Sequence, residues 1–275
     1  MVNNLKTVFL LTLLSSVFLA AGLLIGGPQG LVIALVIAVA MNVSSYWFSD
    51  KLALRVTGAK LVTPDQQPKL HKIVDEASAM AGMTKPKVAI IQNDAPNAFA
   101  TGRNEKHATV AATTGILRIL DDRELLAVFG HEMGHIKNHD ILINAVVAAV
   151  ALAITFLAYF ALFFSGRRGI GGVAIFFLAP LSATLIRGAI SRQREFGADE
   201  TGAAITHNPM ALASALQKMQ DFSKVRPMEV NPAVSHLFIV NPLGKINFGS
   251  FLASHPPTEK RIARLNEIAR RTGNL

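Results

Sequence analysis

A chain of 275 residues with 51% hydrophobic residues, a mean hydropathy of +0.39 and a net charge of +9 is too apolar for an ordinary soluble protein of one or two domains. It has no cysteine, which excludes disulfides, thiolate ligands and a cysteine nucleophile, so any metal must sit on His and carboxylates. The basic residues are spread through the polar segments and flank the apolar ones without an aromatic-rich basic stretch, which argues for a lipid bilayer and against nucleic acid as partner.

Residues 5–26 are apolar apart from Lys6 and small hydroxyl residues, long enough to cross a hydrocarbon core of about 30 Å. Gly27, Pro28, Gln29 and Gly30 supply a turn, and residues 31–48 form a second apolar span ending at Tyr46 and Trp47, which suit a membrane interface. Residues 5–48 therefore read as a transmembrane hairpin. A cleaved signal peptide competes for the first span, with Ala20, Ala21 and Gly22 as small residues, but the second span follows with no polar stretch between them.

Residues 49–140 have ordinary soluble-domain patterning. The spacing predicts a helix over 70–80, a strand over 86–91, and a β-hairpin of 97–101 and 107–113 around the turn 102–106. Asp121 or Asp122 then caps a helix with Glu124 in its first turn. Residues 141–164 and 170–190 are two more apolar spans, joined by Ser165, Gly166, Arg167, Arg168 and Gly169, giving a second hairpin over 141–190. Amphipathic helical patterning returns in 191–275, notably over 211–219 and 258–270, and this part completes the globular domain. On this topology 25 of the 27 Lys and Arg residues lie on one side and only Arg167 and Arg168 on the other, which places both termini and the globular domain in the cytoplasm. There is no internal repeat and no low-complexity tract.

His131, Glu132, Met133, Gly134 and His135 form an HExxH motif on a predicted helix. The i, i+4 spacing puts two imidazoles on one face, where a single zinc ion can bridge them, and Glu132 lies beside that metal as general base for an attacking water. A third protein ligand is needed. His139 is a poor one, because a straight helix carries it about 12 Å from His131, so His139 and Asp140 are read as interfacial polar residues at the mouth of the third span. The third and fourth spans leave and re-enter the same membrane face, so the segment starting at Ser191 must return near the HExxH helix. Glu195 and Asp199 in it are four apart, and one carboxylate can bind zinc while the other orients a ligand imidazole. A surface helix ion-paired through Arg192 and Arg194 is the bland alternative.

HEMGH followed across a hydrophobic hairpin by SRQREFGAD, with NAFATG before and HPPTEKR after, resembles the HtpX family of membrane zinc peptidases over essentially the whole chain. More distantly it is similar to the CAAX prenyl-proteases. The resemblance implies His131, His135 and Glu195 as ligands of one Zn2+ per chain, Glu132 as general base, and Asp199 as partner of a ligand His. It makes His255 a candidate for stabilising the oxyanion and Arg261 a candidate for reaching back to the site. Asn97, Ala98, Phe99 and Ala100 become candidates for holding an extended substrate by β-addition, although by themselves they read as an ordinary hairpin with Phe99 in the core.

The expected fold is a mostly α membrane protein, with four transmembrane helices in two hairpins and a cytoplasmic α+β zincin-like (gluzincin) domain holding a small β-sheet. The resemblance implies proteolytic quality control of misfolded or damaged membrane proteins in a bacterial inner membrane, as part of a stress response. Partners on this reading are unfolded or membrane-protein substrates and the bilayer; homo-oligomers and membrane protease complexes stay open. The competing classes are a catalytically silent scaffold or chaperone with structural zinc, a prenyl-protein peptidase, and a transporter. Glu132 and the lack of a fourth ligand speak against the scaffold, and the scarcity of ionisable residues within the spans speaks against the transporter.

Overall fold

In a computed structural model, the residues described are 2–143, 192–242 and 256–273. Helix α1 (Val2–Thr57) is two helical arms that meet at Gly27, whose φ of 57° lies in the left-handed region that favours glycine, with Pro28 starting the second arm. The arms touch closely: a Cβ on Gly22 would overlap the Gly30 carbonyl and the Ala34 side chain. The second arm exposes Val32, Ile33, Leu35, Val36, Val39 and Val43. Among the described residues no helix is long and apolar enough to cross a membrane. Both spans of the expected first hairpin fall on α1, and the second arm continues through the expected boundary at residue 48 as far as Thr57. The expected second hairpin lies outside the described residues except for 141–143.

A four-stranded mixed sheet follows, made of β1 (Lys60–Leu61), β2 (Lys87–Ile91), β3 (Ala98–Gly102) and β4 (Ala108–Thr113), in the order β1-β2-β4-β3. Strands β2 and β4 run parallel, while β3 and β4 form the expected antiparallel hairpin and leave β3 at the edge. Alternation of side chains gives the sheet two buried faces. Val88, Ile90, Ala98, Ala100, Val110 and Ala112 join the larger core with the helices. Ala89, Ile91, Phe99 and Ala111 pack on the other side against Ala53 of α1 and against Met228, Val234, Leu237 and Phe238.

The helices of the larger core are α2 (Pro68–Ala81), α3 (Thr114–Ile119), α4 (Asp122–Lys137), α5 (Arg192–Thr206), α6 (Pro209–Val225) and α7 (Thr258–Thr272). Their ends follow local chemistry. Helix α2 starts on Pro68 and stops at Gly82, in the left-handed conformation, and α6 starts at Asn208, whose side chain accepts the Ala211 N–H. Helices α2, α6 and α7 contain the stretches the periodicity predicts, each slightly longer.

Candidate metal centre

Helix α4 carries the HExxH motif, and its start is fixed by a capping box. The Asp121 carboxylate accepts the Glu124 N–H at 2.9 Å and Glu124 accepts the Asp121 N–H at 3.0 Å, an arrangement that contributes about 1 kcal/mol. Glu124 also accepts from Ser214 at 2.7 Å and Lys218 at 2.8 Å, tying α4 to α6.

Helix α5 crosses α4 at small residues. A Cβ on Gly202 would stand 2.7 Å from the His131 backbone nitrogen, and one on Gly134 would stand 3.1 Å from the Ala198 carbonyl oxygen. Glycines at these contacts let the backbones approach closely enough for Glu195 and Asp199, one turn apart on α5, to reach both histidines. His135 Nε2 lies 3.4 Å from Glu195 Oε1, and His131 Nε2 lies 3.9 Å from Glu195 Oε2. The two imidazoles stand edge to face with centroids 4.7 Å apart. One donor atom from each of His131, His135 and Glu195 falls within 4.8 Å of the others, and all three residues are buried.

The far side of each imidazole meets another carboxylate. His131 Nδ1 is 2.9 Å from Asp199 Oδ1. Asp199 is gripped in turn by Arg261, whose Nε and Nη2 donate to its two oxygens at 2.9 and 2.7 Å. This Arg261 is 1% exposed, donates also to the Ile239 carbonyl at 2.7 Å, and approaches Glu195 at 3.7 Å. His135 Nδ1 is 3.2 Å from Asp140 Oδ2, and Arg194 stands 4.0 Å from the other Asp140 oxygen. The reading of Asp140 as an interfacial polar residue is thereby corrected: α4 ends at Lys137, the chain turns through His139 with φ 58°, and Asp140 folds back, buried, under His135. A straight-helix projection hides this contact. His139 itself is exposed and lies outside the ligand cluster.

The donor set suits a metal ion. His131 Nε2 is buried without a hydrogen-bond partner among the described residues while Nδ1 is engaged by Asp199, the pattern expected of an imidazole whose other nitrogen binds a metal. Two imidazole nitrogens and a carboxylate oxygen are the protein donors of a catalytic zinc site, whose fourth position goes to water or substrate. Burial pushes the His131 imidazole down to about 4, against the pull of Asp199, so it is neutral and ready to donate. For His135 burial acts downward too, but the carboxylates of Glu195, Asp140 and Glu132 outweigh it and hold the ring up at about 9. The cluster thus recruits positive charge. Burial also pushes the Glu132 carboxyl up to about 7, whereas Asp199, despite its burial, is held down at about 2 by Arg261 and His131.

Glu132 faces the sheet edge, near enough to the Ala100 backbone for it to draw the carboxyl's pKa down against the burial that raises it. Ala100 therefore comes to the site. Asn97, Ala98 and Phe99 meet a different neighbour: the Asn97 side chain bonds the backbone of Val240, the Ala98 carbonyl accepts the Ile239 N–H, and Phe99 stacks on Phe238 in the core. His255 lies outside the described residues.

The description "Peptidase family M48" matches residues 64–269. A "Protease HtpX homolog" of Paraburkholderia phytofirmans is 47% identical over 280 residues, covering 98% of each chain, and one of a Sulfurihydrogenibium species is 45% identical over 289 residues with the same coverage. Among solved structures, the crystal structure of S. mikatae Ste24p matches with a TM-score of 0.55 and 20% identity, a likeness of fold. It covers 92% of this chain, and this chain spans 62% of that one.

Proposed function

This chain belongs to peptidase family M48 and to the HtpX family of proteases, it is a metalloprotease, and from that premise we propose how its residues cut a peptide bond, and where. The observation that carries the proposal is the buried cluster of His131, His135 and Glu195 with Glu132 set between the histidines. These three residues would hold one zinc ion, which when bound acts as a Lewis acid, making a water molecule acidic and polarising a substrate carbonyl. Asp199 and Asp140 orient the imidazoles, and Arg261 keeps Asp199 ionised in a place where its charge would otherwise be costly. Glu132, with a carboxyl near neutrality, accepts the proton of the attacking water and passes it to the departing amine. The substrate backbone lies extended along β3 at Ala100, and His255 stabilises the oxyanion.

The substrates we propose are misfolded or damaged membrane proteins, cut at the cytoplasmic face of a bacterial inner membrane. Support comes from the run of large apolar side chains that the second arm of α1 exposes, Val32, Ile33, Leu35, Val36, Val39 and Val43, and from the short connection between His135 and the start of the third expected span. The test compares zinc content and cleavage of an unfolded protein for the wild type, Glu132→Gln and Glu195→Ala, all purified in detergent. The expected result is about one zinc and activity in the wild type, zinc with activity reduced by roughly 100-fold or more in Glu132→Gln, and loss of both in Glu195→Ala. Equal zinc in all three with no cleavage in any would overturn the assignment of Glu195 and favour a silent scaffold.

A further inference from the structure

The junction between α1 and the globular part carries cations and aromatic rings that the peptidase chemistry does not use. Trp47 and Phe48 close the apolar stretch of α1 and are 51% and 52% exposed. Lys51 and Arg55 follow at one-turn intervals, both exposed. Phe48, Lys51 and Arg55 are spaced i, i+3 and i+7, which puts them on one face of the helix, and the Lys51 ammonium lies 5.3 Å from the Phe48 ring centroid. The helix packs on the sheet through another face, where Ala53 is buried.

The globular part adds a cation at the same place. Arg103 follows β3 in the turn to β4, and its guanidinium lies 4.7 Å from the Trp47 ring centroid. Among the described residues, none of Lys51, Arg55 and Arg103 has a carboxylate within ion-pairing distance. The nearby acids are engaged with backbone: Glu105 in the turn accepts the Thr84 N–H at 2.8 Å, and Asp50 accepts the Lys51 N–H at 2.8 Å. The order along α1 is rings first and cations after. At 1.5 Å per residue Lys51 stands about 6 Å and Arg55 about 12 Å beyond Trp47. The headgroup region reaches about 5–8 Å beyond the hydrocarbon core on each side. With Trp47 at the boundary of that core, Lys51 falls among the headgroups and Arg55 reaches them from their outer edge with its long side chain.

We infer that this junction binds an anionic phospholipid, whose phosphodiester sits among Lys51, Arg55 and Arg103 while its acyl chains lie beside Trp47 and Phe48. The inference rests on the reading of α1 as a membrane hairpin. Charge complementarity selects the headgroup: cations without counter-ions at this depth attract acidic lipid over zwitterionic lipid. The rings select a lipid over an acidic protein segment, which would match the cations but has no need of half-exposed aromatics set before them. Arg103 gives the site a consequence for the peptidase. It continues directly from β3, whose Ala100 lies beside Glu132, so a bound headgroup draws this side of the globular part to the bilayer surface and sets the height at which the metal centre meets a membrane-embedded substrate.

Trp47 is the only tryptophan of the chain, so its fluorescence reports on this site alone. The test reconstitutes the zinc-loaded full chain into vesicles mixed from phosphatidylglycerol and phosphatidylcholine, with one or the other lipid brominated on its acyl chains to quench a neighbouring indole. In the wild type, quenching shows phosphatidylglycerol preferred at Trp47 by about three- to tenfold, the scale set by a few cations near a lipid surface. In Lys51→Gln/Arg55→Gln and in Arg103→Gln the preference falls toward onefold. Should these variants not fold, the wild type at about 1 M salt replaces them, because screening there is complete within about 3 Å and the preference collapses in the same way. Equal quenching by the two lipids in the wild type overturns the inference and leaves an acidic protein segment as the ligand of these cations. An unchanged preference in the folded variants, or at high salt, overturns it too, as does a Trp47 that neither lipid quenches in protein that floats with the vesicles. A wild type that floats with no vesicle overturns the membrane reading of α1 beneath it, and the inference with it.

Discussion

The two histidines of the candidate metal centre are the same residue type on the same helix, each backed by an aspartate and an arginine, yet the two supports differ in kind. Behind His131 the chain of contacts is tight: Asp199 at 2.9 Å, then Arg261 with two short bonds to that carboxylate and a third to the Ile239 carbonyl. Behind His135 it is loose, with Asp140 at 3.2 Å and Arg194 at 4.0 Å. The first support is built from α5, α7 and Ile239, all within the globular part. The second comes from Asp140, only one residue before the expected third membrane span. The contrast teaches that one ligand is fixed by the domain's own folding core, while the other is set by the junction between that domain and the apolar segment.

The largest effect should come from the tight side. Arg261→Met leaves Asp199 buried without its counter-charge, at a cost of about 3–5 kcal/mol, seen as a large fall in the thermal unfolding midpoint even without metal. A midpoint within a degree or two of the wild type would mean that the buried pair is not what holds this side together. Next, Asp140→Asn should lower zinc affinity about 10- to 100-fold, measured by competition with a chelator, while leaving the metal-free fold nearly as stable. Unaltered affinity would remove Asp140 from the support of His135. The smallest effect is expected for Arg194→Gln, less than about 1 kcal/mol in stability, because a guanidinium 4.0 Å from its carboxylate gains little to offset its desolvation. Were this change as damaging as Arg261→Met, the two sides would be equivalent and the comparison would fail.

The features legible in the sequence are those set over a few residues. The cap of α4 at Asp121, with Glu124 in the first turn, and the β3–β4 hairpin follow from local turn and cap chemistry, and they stand where the residues predict them. The spacing of His131 and His135 is a property of one helical turn, and so is that of Glu195 and Asp199. What escaped was Asp140, because its contact with His135 depends on a left-handed turn at His139 that helix periodicity does not announce. The docking of residues 238–240 on β3 escaped too, since Asn97 and Val240 are 143 positions apart and nothing in either segment marks the other.

By itself, then, the sequence determined the chemistry available: two imidazoles and a base on one helix, a pair of carboxylates on another, no thiol, and long apolar stretches. Local spacing suffices for that, because the geometry of a helix is the same wherever it occurs. Only the tertiary structure decided which nitrogen faces the metal position, which carboxylate stands behind each ring, and that Ile239 and Val240 bond to Ala98 and Asn97. Those outcomes depend on how closely α5 approaches α4 across Gly202 and Gly134, and on where a buried arginine must sit to neutralise Asp199. Both are set by packing between segments distant in sequence.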